Sequence, residues 1–190
     1  LICDSHWDET VLLLQSDTRN ESAAILDSTT SHVISKVGDV HHETDDRKWG
    51  ASSIYFDGTG DYLTIPDHAD FEFGSGSFTM EAWVYVASTA TYFAIFEQQA
   101  SSSGSRAFVF YLDGGKRPAL GFNNNGESNG WGSSYHYGTD NSVSAETWTH
   151  VAVVKDGSNG TFYVNGSAQG TFSESRTMYN PGINLNVGGA

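Results

Sequence analysis

Aromatic and amide side chains are concentrated between residues 121 and 144, and these are the residue types that bind sugars. An aromatic ring offers an apolar face on which a pyranose can stack, and amide groups exchange hydrogen bonds with sugar hydroxyls. This stretch carries both types, namely Trp131, Tyr135 and Tyr137 beside Asn123, Asn125 and Asn129. We predict that these six side chains bind a ligand. The alternative is that the aromatic residues pack together as the core of a long loop.

Carboxylates paired for glycoside hydrolysis would be the chemistry of an enzyme. Hydrolysis needs two carboxyl groups flanking the bond, ~5–5.5 Å apart for retention or ~6.5–9.5 Å apart for inversion. On a strand, the pattern Glu-x-Asp-x-Glu would place three carboxylates on one face, and this pattern does not occur in the sequence. The nearest run, residues 43–46, is followed by Arg47 and Lys48, as in a solvated turn. The sequence therefore predicts a protein that is not an enzyme.

Cysteine and histidine offer few other sites. Cys3 is the only cysteine, so an intrachain disulfide cannot form. His41 and His42, together with His32, could bind a transition metal. Adjacent residues of an extended chain point to opposite sides, however, and we interpret these histidines as part of a solvated loop.

The charge balance excludes two classes of partner. Lys and Arg number 9 against 23 Asp and Glu, which leaves a net charge of −14. Nucleic acids and anionic membrane surfaces would be repelled by such a chain. The sequence also lacks a stretch of the ~20 apolar residues that cross a bilayer. An acidic surface suits a secreted or particle-borne protein, or one that binds hard cations.

Apolar runs of strand length recur between clusters of Gly, Asn, Ser and Asp, the pattern of an antiparallel sandwich. Apolar residues alternate in 77–87, and no segment sustains a helical period. We expect 53–57 and 62–65 to pair as a hairpin. The fold is predicted to be all-β and, because no linker or repeat is evident, a single domain over residues 1–190. The predicted strands cover residues 10–15, 53–57, 62–65, 77–87, 92–96, 107–112, 119–123, 148–155, 161–165, 169–173 and 183–187.

The late hairpin carries a family resemblance. A buried strand is opened by Trp148, a polar turn follows, and a second strand ends at Asn165-Gly166. Together with similar stretches at 4–14, 56–63 and 71–84, this hairpin resembles the laminin-G-like, concanavalin A-like jelly rolls found in phage and marine microbial structural proteins. The resemblance implies a two-sheet jelly roll of a family that mostly binds sugars or other extracellular ligands.

The same resemblance implies a closing strand and a cation site. Such domains normally end in a Gly-x-Ile-Asp-Glu strand that pairs with the first strand, whereas this sequence ends at Gly188-Gly189-Ala190. We therefore expect residues 10–15 to lack a partner strand within the chain. Calcium prefers six to eight oxygen ligands, and the positions that match the family's cation site are Asp17 and Asp27. The alternative is that both aspartates cap turns.

The residues and the resemblance together predict a non-enzymatic module of the cell exterior or virion surface that binds glycans or mediates adhesion. Calcium is its expected cofactor, and neighbouring structural subunits or further copies of the chain are expected partners. Two alternatives remain open at this point: an assembly or decoration subunit without a ligand, and an accessory carbohydrate-binding domain of a glycoside hydrolase.

Overall fold

The computed structural model describes residues 7–87, 92–99, 106–125 and 134–189. Its regular structure consists of antiparallel strands and two short 3₁₀ turns, Trp7–Glu9 and Ala69–Phe71. The all-β prediction is confirmed. Within the described ranges, no helix has the length and apolar character needed to cross a membrane. The chain divides into two compact units, Leu1–Pro66 and Asp67–Ala190.

The first unit contains four short strands around a small core. They are β1 (Ser35–Val37), β2 (His41–Glu43), β3 (Ser53–Tyr55) and β4 (Tyr62–Ile65). Strand β1 pairs with β4, and β2 pairs with β3. The buried apolar side chains of this unit include Ile25, Val40, Leu63 and Ile65.

The strand predicted for residues 10–15 is wrong. This described segment makes a single bridge, between Leu14 and Asp27. The Leu13 amide donates to the carboxylate of Asp27 at 3.0 Å, and the Leu13 carbonyl accepts from the Ser28 amide at 2.8 Å. A side-chain carboxylate thus takes a hydrogen bond that a neighbouring strand would otherwise supply, which the apolar run could not reveal.

The predicted hairpin of residues 53–57 and 62–65 is also wrong, because β3 and β4 pair with different strands. Asp61, in the turn between them, accepts hydrogen bonds from the amides of Asp39 (2.6 Å) and Asp57 (2.9 Å). It therefore ties the turn to the segment after β1. Gly38 makes this approach possible, since its φ is +77° and a Cβ there would lie 2.1 Å from the Asp61 Oδ1.

The second unit is a sandwich of two antiparallel sheets. The first sheet has the strand order β13-β6-β7-β8-β9, and the second has the order β12-β11-β10-β5. The strands are β5 (Phe78–Val84), β6 (Phe93–Gln99), β7 (Arg106–Asp113), β8 (Arg117–Phe122), β9 (Ser134–Tyr137), β10 (Thr149–Asp156), β11 (Asn159–Val164), β12 (Ser167–Ser173) and β13 (Leu185–Val187).

The core of the sandwich lies between the two sheets. Phe73 joins them, because its ring lies 4.6 Å from that of Phe78 on β5 and 5.3 Å from that of Phe108 on β7. Other fully buried side chains of these strands that face this core include Phe110, Leu120, Phe122, Val151, Val153 and Phe162. Burial of large apolar side chains is the main favourable term in folding. The core residues occupy alternate positions, and in β7 and β8 the residues between them are buried as well.

Most strands of this unit were predicted from the sequence. Strand β5 is confirmed over Phe78–Val84, shorter than the predicted 77–87, and the β11–β12 hairpin is confirmed. Phe78 and Met80 are buried while Thr79 between them is exposed. Asn165 (φ +49°) and Gly166 (φ +77°) form the two-residue turn that the Asn-Gly pair predicts. Strand β9, by contrast, lies in the segment that we expected to be a loop.

Candidate functional site

One face of the first sheet of the second unit lies opposite the core between the sheets, and its centre is a buried apolar cluster of Ala94, Val109, Tyr111 and Ala119. Because side chains alternate along β7, Val109 and Tyr111 lie on the face opposite to Phe108 and Phe110. The strand registers extend this face to β8 and β9. Tyr111 is opposite Ala119, and Ala119 is opposite Tyr137.

Four tyrosines occupy this face, and we call Tyr92, Tyr111, Tyr135 and Tyr137 the tyrosine face. The rings of Tyr92 and Tyr111 lie 4.6 Å apart, and those of Tyr135 and Tyr137 are stacked at 6.3 Å with 17° between their planes. Three of the four are exposed by 42–43%, whereas Tyr111 is buried. Ring surface of this extent is available to an apolar ligand face.

Small residues between the tyrosines keep the surface shallow. Ala119 separates Tyr111 from Tyr137 across the strands, and Gly121 lies opposite Tyr135. A larger side chain at residue 119 would stand between the rings of Tyr111 and Tyr137, since directly opposed residues have Cβ atoms only ~4.5–5.5 Å apart. The sheet thus presents its aromatic rings side by side.

Polar groups border the rings on the β6 side. The Gln99 side-chain amide donates to the Glu97 carboxylate at 2.6 Å, and Gln99 also bonds to the hydroxyl of Tyr92. Asn186 of β13 lies opposite Glu97 and bonds to it. Burial raises the pKa of the Tyr92, Tyr111 and Tyr135 hydroxyls, so these groups stay protonated and can donate hydrogen bonds at neutral pH.

Arg117 closes the opposite side of the tyrosine face. Its guanidinium lies over the Tyr137 ring, 4.4 Å from the ring centre. Its Nε donates to Asp113 at 3.0 Å, and its Nη1 donates to Asp140 at 2.5 Å. Two carboxylates therefore hold the planar cation in a stacked orientation.

The predicted sugar-binding residues have different positions in the structure. Tyr135 and Tyr137 lie on the tyrosine face, and Asn125 is exposed. Asn123 is fully buried, and its side-chain oxygen accepts the Asn125 amide at 3.0 Å, so it holds the turn that follows β8. Trp131 and Asn129 lie outside the described residues.

Sequence reading missed Tyr92, Tyr111, Glu97 and Arg117. The run Arg106–Asp113 is apolar over most of its length, and such a run does not show which of its two faces is the core. Strand alternation could have indicated Tyr111. If Phe108 and Phe110 face the core, then Val109, Tyr111 and Asp113 lie on the opposite face.

The two predicted calcium ligands lie in the first unit. Each oxygen of Asp27 is already engaged: Oδ1 accepts the amides of Leu13 and Thr29, and Oδ2 accepts the Thr29 hydroxyl and the amides of Ser31 and His32. Burial alone would raise the pKa of Asp27, but these hydrogen bonds lower it. Asp17 is exposed and accepts the Ala51 amide at 2.8 Å. Calcium at these residues stays a prediction, and Asp27 has a structural role without it.

The interpretation of the histidines as part of a solvated loop is wrong for His42. This side chain is buried on β2, and its Nδ1 lies 2.6 Å from the Ser16 hydroxyl. The neighbouring His41 packs its ring 5.0 Å from that of Tyr55. The two adjacent side chains thus take separate positions, as the alternation of an extended strand requires.

Solved structures with the same fold have little sequence in common with this chain. The binding domain of botulinum neurotoxin DC, in complex with SialylT, has a TM-score of 0.58 and 14% identity, over 95% of this chain and 46% of the other. The same domain in complex with rat synaptotagmin II has a TM-score of 0.60 and 13% identity, over the same shares. This chain thus spans less than half the length of those domains. A weaker match, from which we draw no conclusion on fold, is the Ruminococcus gnavus IT-sialidase CBM40 bound to alpha2,3 sialyllactose, with a TM-score of 0.45 and 14% identity over 60% of this chain and 63% of the other.

No curated protein matches this chain significantly in sequence. A family described as the concanavalin A-like lectin/glucanases superfamily, Laminin_G_3, matches residues 57–190. The match covers the whole sandwich of the second unit, and the antiparallel sheets with their tight Asn-Gly hairpin agree with the fold of that family. This chain therefore belongs to the Laminin_G_3 family of the concanavalin A-like lectin/glucanase superfamily.

Proposed function

We propose that this chain is a non-catalytic glycan-binding module and that the glycan lies on the tyrosine face. The observation that carries the proposal is the stacked, exposed pair Tyr135 and Tyr137 beside exposed Tyr92, with Glu97 and Gln99 at the border. Tyrosine supplies a rigid amphipathic surface with few rotatable bonds, and the bordering carboxylate and amide can bond to sugar hydroxyls. Ring stacking and hydroxyl recognition are thus available side by side.

A binding role, rather than catalysis, is supported by the carboxyl groups of this face. Hydrolysis requires two carboxyl groups that flank the bond and are free to exchange protons. In the described part of the face, Asp113 and Asp140 both hold Arg117, while Glu97 bonds to Gln99. A module of this kind, with a net charge of −14, suits the cell exterior or a virion surface, which we propose as its location.

The proposal also accommodates the fold relatives. The binding domain of botulinum neurotoxin DC, which has this fold, was solved once with SialylT and once with the protein synaptotagmin II. The fold alone therefore does not decide between a glycan and a protein ligand, and the side chains of this chain must do so. Here, they favour the glycan.

The test is the double substitution Tyr135→Ala and Tyr137→Ala. The chain is screened on an array of neutral and acidic glycans, and the affinity of the best ligand is compared between the wild type and the variant. We expect a loss of about tenfold or more, because two stacking surfaces are removed. The melting temperature should change little, since both rings are exposed by more than 40%.

Tyr55→Ala is the matched control, because Tyr55 is as exposed as Tyr135 (43%) but lies on β3 of the first unit. Its affinity should equal that of the wild type. If the double variant binds the glycan as tightly as the wild type does, the glycan binds at another surface. If the wild type binds no glycan on the array, the assembly or decoration role is favoured instead.

A further inference from the structure

Charged groups border the tyrosine face, and they are paired with each other. The Arg117 guanidinium contacts the carboxylates of Asp113 and Asp140 together. Two negative charges thus surround one positive charge beside the Tyr137 ring. A ligand anion that approached Arg117 would have to compete with both carboxylates.

The second guanidinium near the face, that of Arg106, lies beside a further carboxyl group. Burial raises the pKa of Glu97, and the positive charge of Arg106 opposes that rise, as it does for Tyr92 and Tyr135. In the register of β6 and β7, Arg106 lies opposite Gln99, two residues from Glu97, at the same end of the face. Around Arg117 itself, the border of the face carries one positive charge and two negative charges.

We infer that the tyrosine face takes neutral oligosaccharides and rejects sugars that carry a carboxylate or a sulfate, an inference that rests on the proposed function. The positive charge of Arg117 is offset by two carboxylates of the protein. The net charge of −14 adds a repulsion that any anionic ligand must overcome as it approaches. Like charges placed together at an interface suppress the wrong partner.

The same groups suit a neutral sugar. Carboxylates accept hydrogen bonds from hydroxyls, and the side chains of Gln99 and the tyrosines can both donate and accept. A pyranose that stacks on Tyr135 or Tyr137 keeps its hydroxyls at the rim of its ring, where such groups can reach them. A carboxylate in place of one hydroxyl would turn an attraction to Asp113 or Asp140 into a repulsion.

The experiment compares acidic probes with neutral counterparts. We would measure binding of the whole chain to two pairs, tetragalacturonic acid with its methyl ester and alpha2,3 sialyllactose with lactose, within an array of neutral oligosaccharides. The best neutral probe should bind about tenfold or more tightly than any acidic probe at low salt. Tighter binding of an acidic probe would overturn the inference and leave the proposed function standing. Binding of no glycan at all would overturn both.

Asp140→Asn tests the charge argument itself. The Asp140 side chain is 63% exposed, so the substitution should preserve the fold while it removes one of the two carboxylates that hold Arg117. The preference for neutral over acidic probes should fall roughly threefold, since one repulsive charge is lost in a partly solvated site. Glu72→Gln removes a charge from an exposed residue outside the tyrosine face and should leave the preference unchanged. An equal preference in the wild type and Asp140→Asn would overturn the inference.

Discussion

At the scale of single residues, Lys155 shows how a buried charge is held without a carboxylate. Its side chain is 1% exposed, and its ammonium donates to the carbonyls of Ser75 (3.0 Å), Gly76 (3.2 Å) and Gly157 (2.6 Å). Three N–H donors thus meet three backbone acceptors. The contact fastens the turn before β5 to the turn after β10.

Replacement of this ammonium by an isosteric apolar group should destabilise the second unit. Lys155→Met leaves three buried carbonyls without their donor, and we expect a loss of about 3 kcal/mol in the free energy of unfolding. Urea unfolding followed by tryptophan fluorescence would measure it. Lys36→Met, at an exposed position of β1, should change the free energy by less than about 0.5 kcal/mol. Equal stabilities of the two variants would mean that the carbonyls find other donors.

At the scale of elements, a buried ionic cluster joins β9 to the segment that follows β12. His136 of β9 lies 3.3 Å from the Glu174 carboxylate, which also accepts the Nε of Arg176 at 2.8 Å. The His136 ring is stacked on Phe172 of β12 at 4.2 Å. Strand β9 carries Tyr135 and Tyr137, so this cluster also positions the proposed site.

The cluster predicts a loss of stability in acid. Burial alone would raise the pKa of Glu174, but hydrogen bonds from Arg176, Ser134 and His136 outweigh it and lower the pKa to about 2. Ionised Glu174 therefore stabilises the folded state fully above pH 4.5, the ordinary pKa of a glutamate. This stabilisation is lost as the pH falls from 4.5 toward 2. The gain is roughly 3 kcal/mol, since each pH unit between the two values contributes about 1.4 kcal/mol.

Comparison with Glu174→Gln isolates this contribution, because other carboxyl groups titrate in both proteins. The wild type should be the more stable protein at pH 7, and the difference should shrink between pH 4.5 and 2. Burial also lowers the pKa of His136, so the wild type should lose some stability as the pH falls below 6.5, and His136→Gln should lack that step. A difference between the wild type and Glu174→Gln that is the same at every pH would exclude the ionic role.

Elements were predictable where alternation and turn chemistry agreed. Residues 77–87 and the Asn165-Gly166 turn carry both signals, and β5 and the β11–β12 hairpin formed as expected. The prediction failed where side chains of distant residues replaced strand pairing, as Asp27 does for Leu13. Strand β9 was missed because its alternating Ser-Tyr-His-Tyr run lies in an Asn- and Gly-rich segment.

At the scale of the whole molecule, the candidate site could be predicted only in part. Tyr135 and Tyr137 stood out because aromatic residues in a polar segment need a partner. Tyr92, Glu97 and Arg117 join them through the register of β6, β7 and β8, which depends on long-range pairing that no local pattern contains. The single-domain organisation over residues 1–190 and the missing closing strand stay predictions.

The net charge of −14 gives calcium two ways to stabilise this molecule, and they can be separated. Any salt screens the repulsion among the carboxylates, whereas a bound ion stabilises the folded state by mass action, by about 2.7 kcal/mol at a hundredfold excess over its Kd. We therefore expect the melting temperature to be higher in calcium than in magnesium or sodium chloride of equal ionic strength.

Asp17→Asn should abolish this calcium-specific increment at little cost to the fold, because Asp17 is exposed. Asp27→Asn should lower the melting temperature even in chelator, since its carboxylate accepts hydrogen bonds from the chain itself. Identical melting curves of the wild type in calcium and in chelator, at matched ionic strength, would show that calcium does not bind at Asp17 and Asp27.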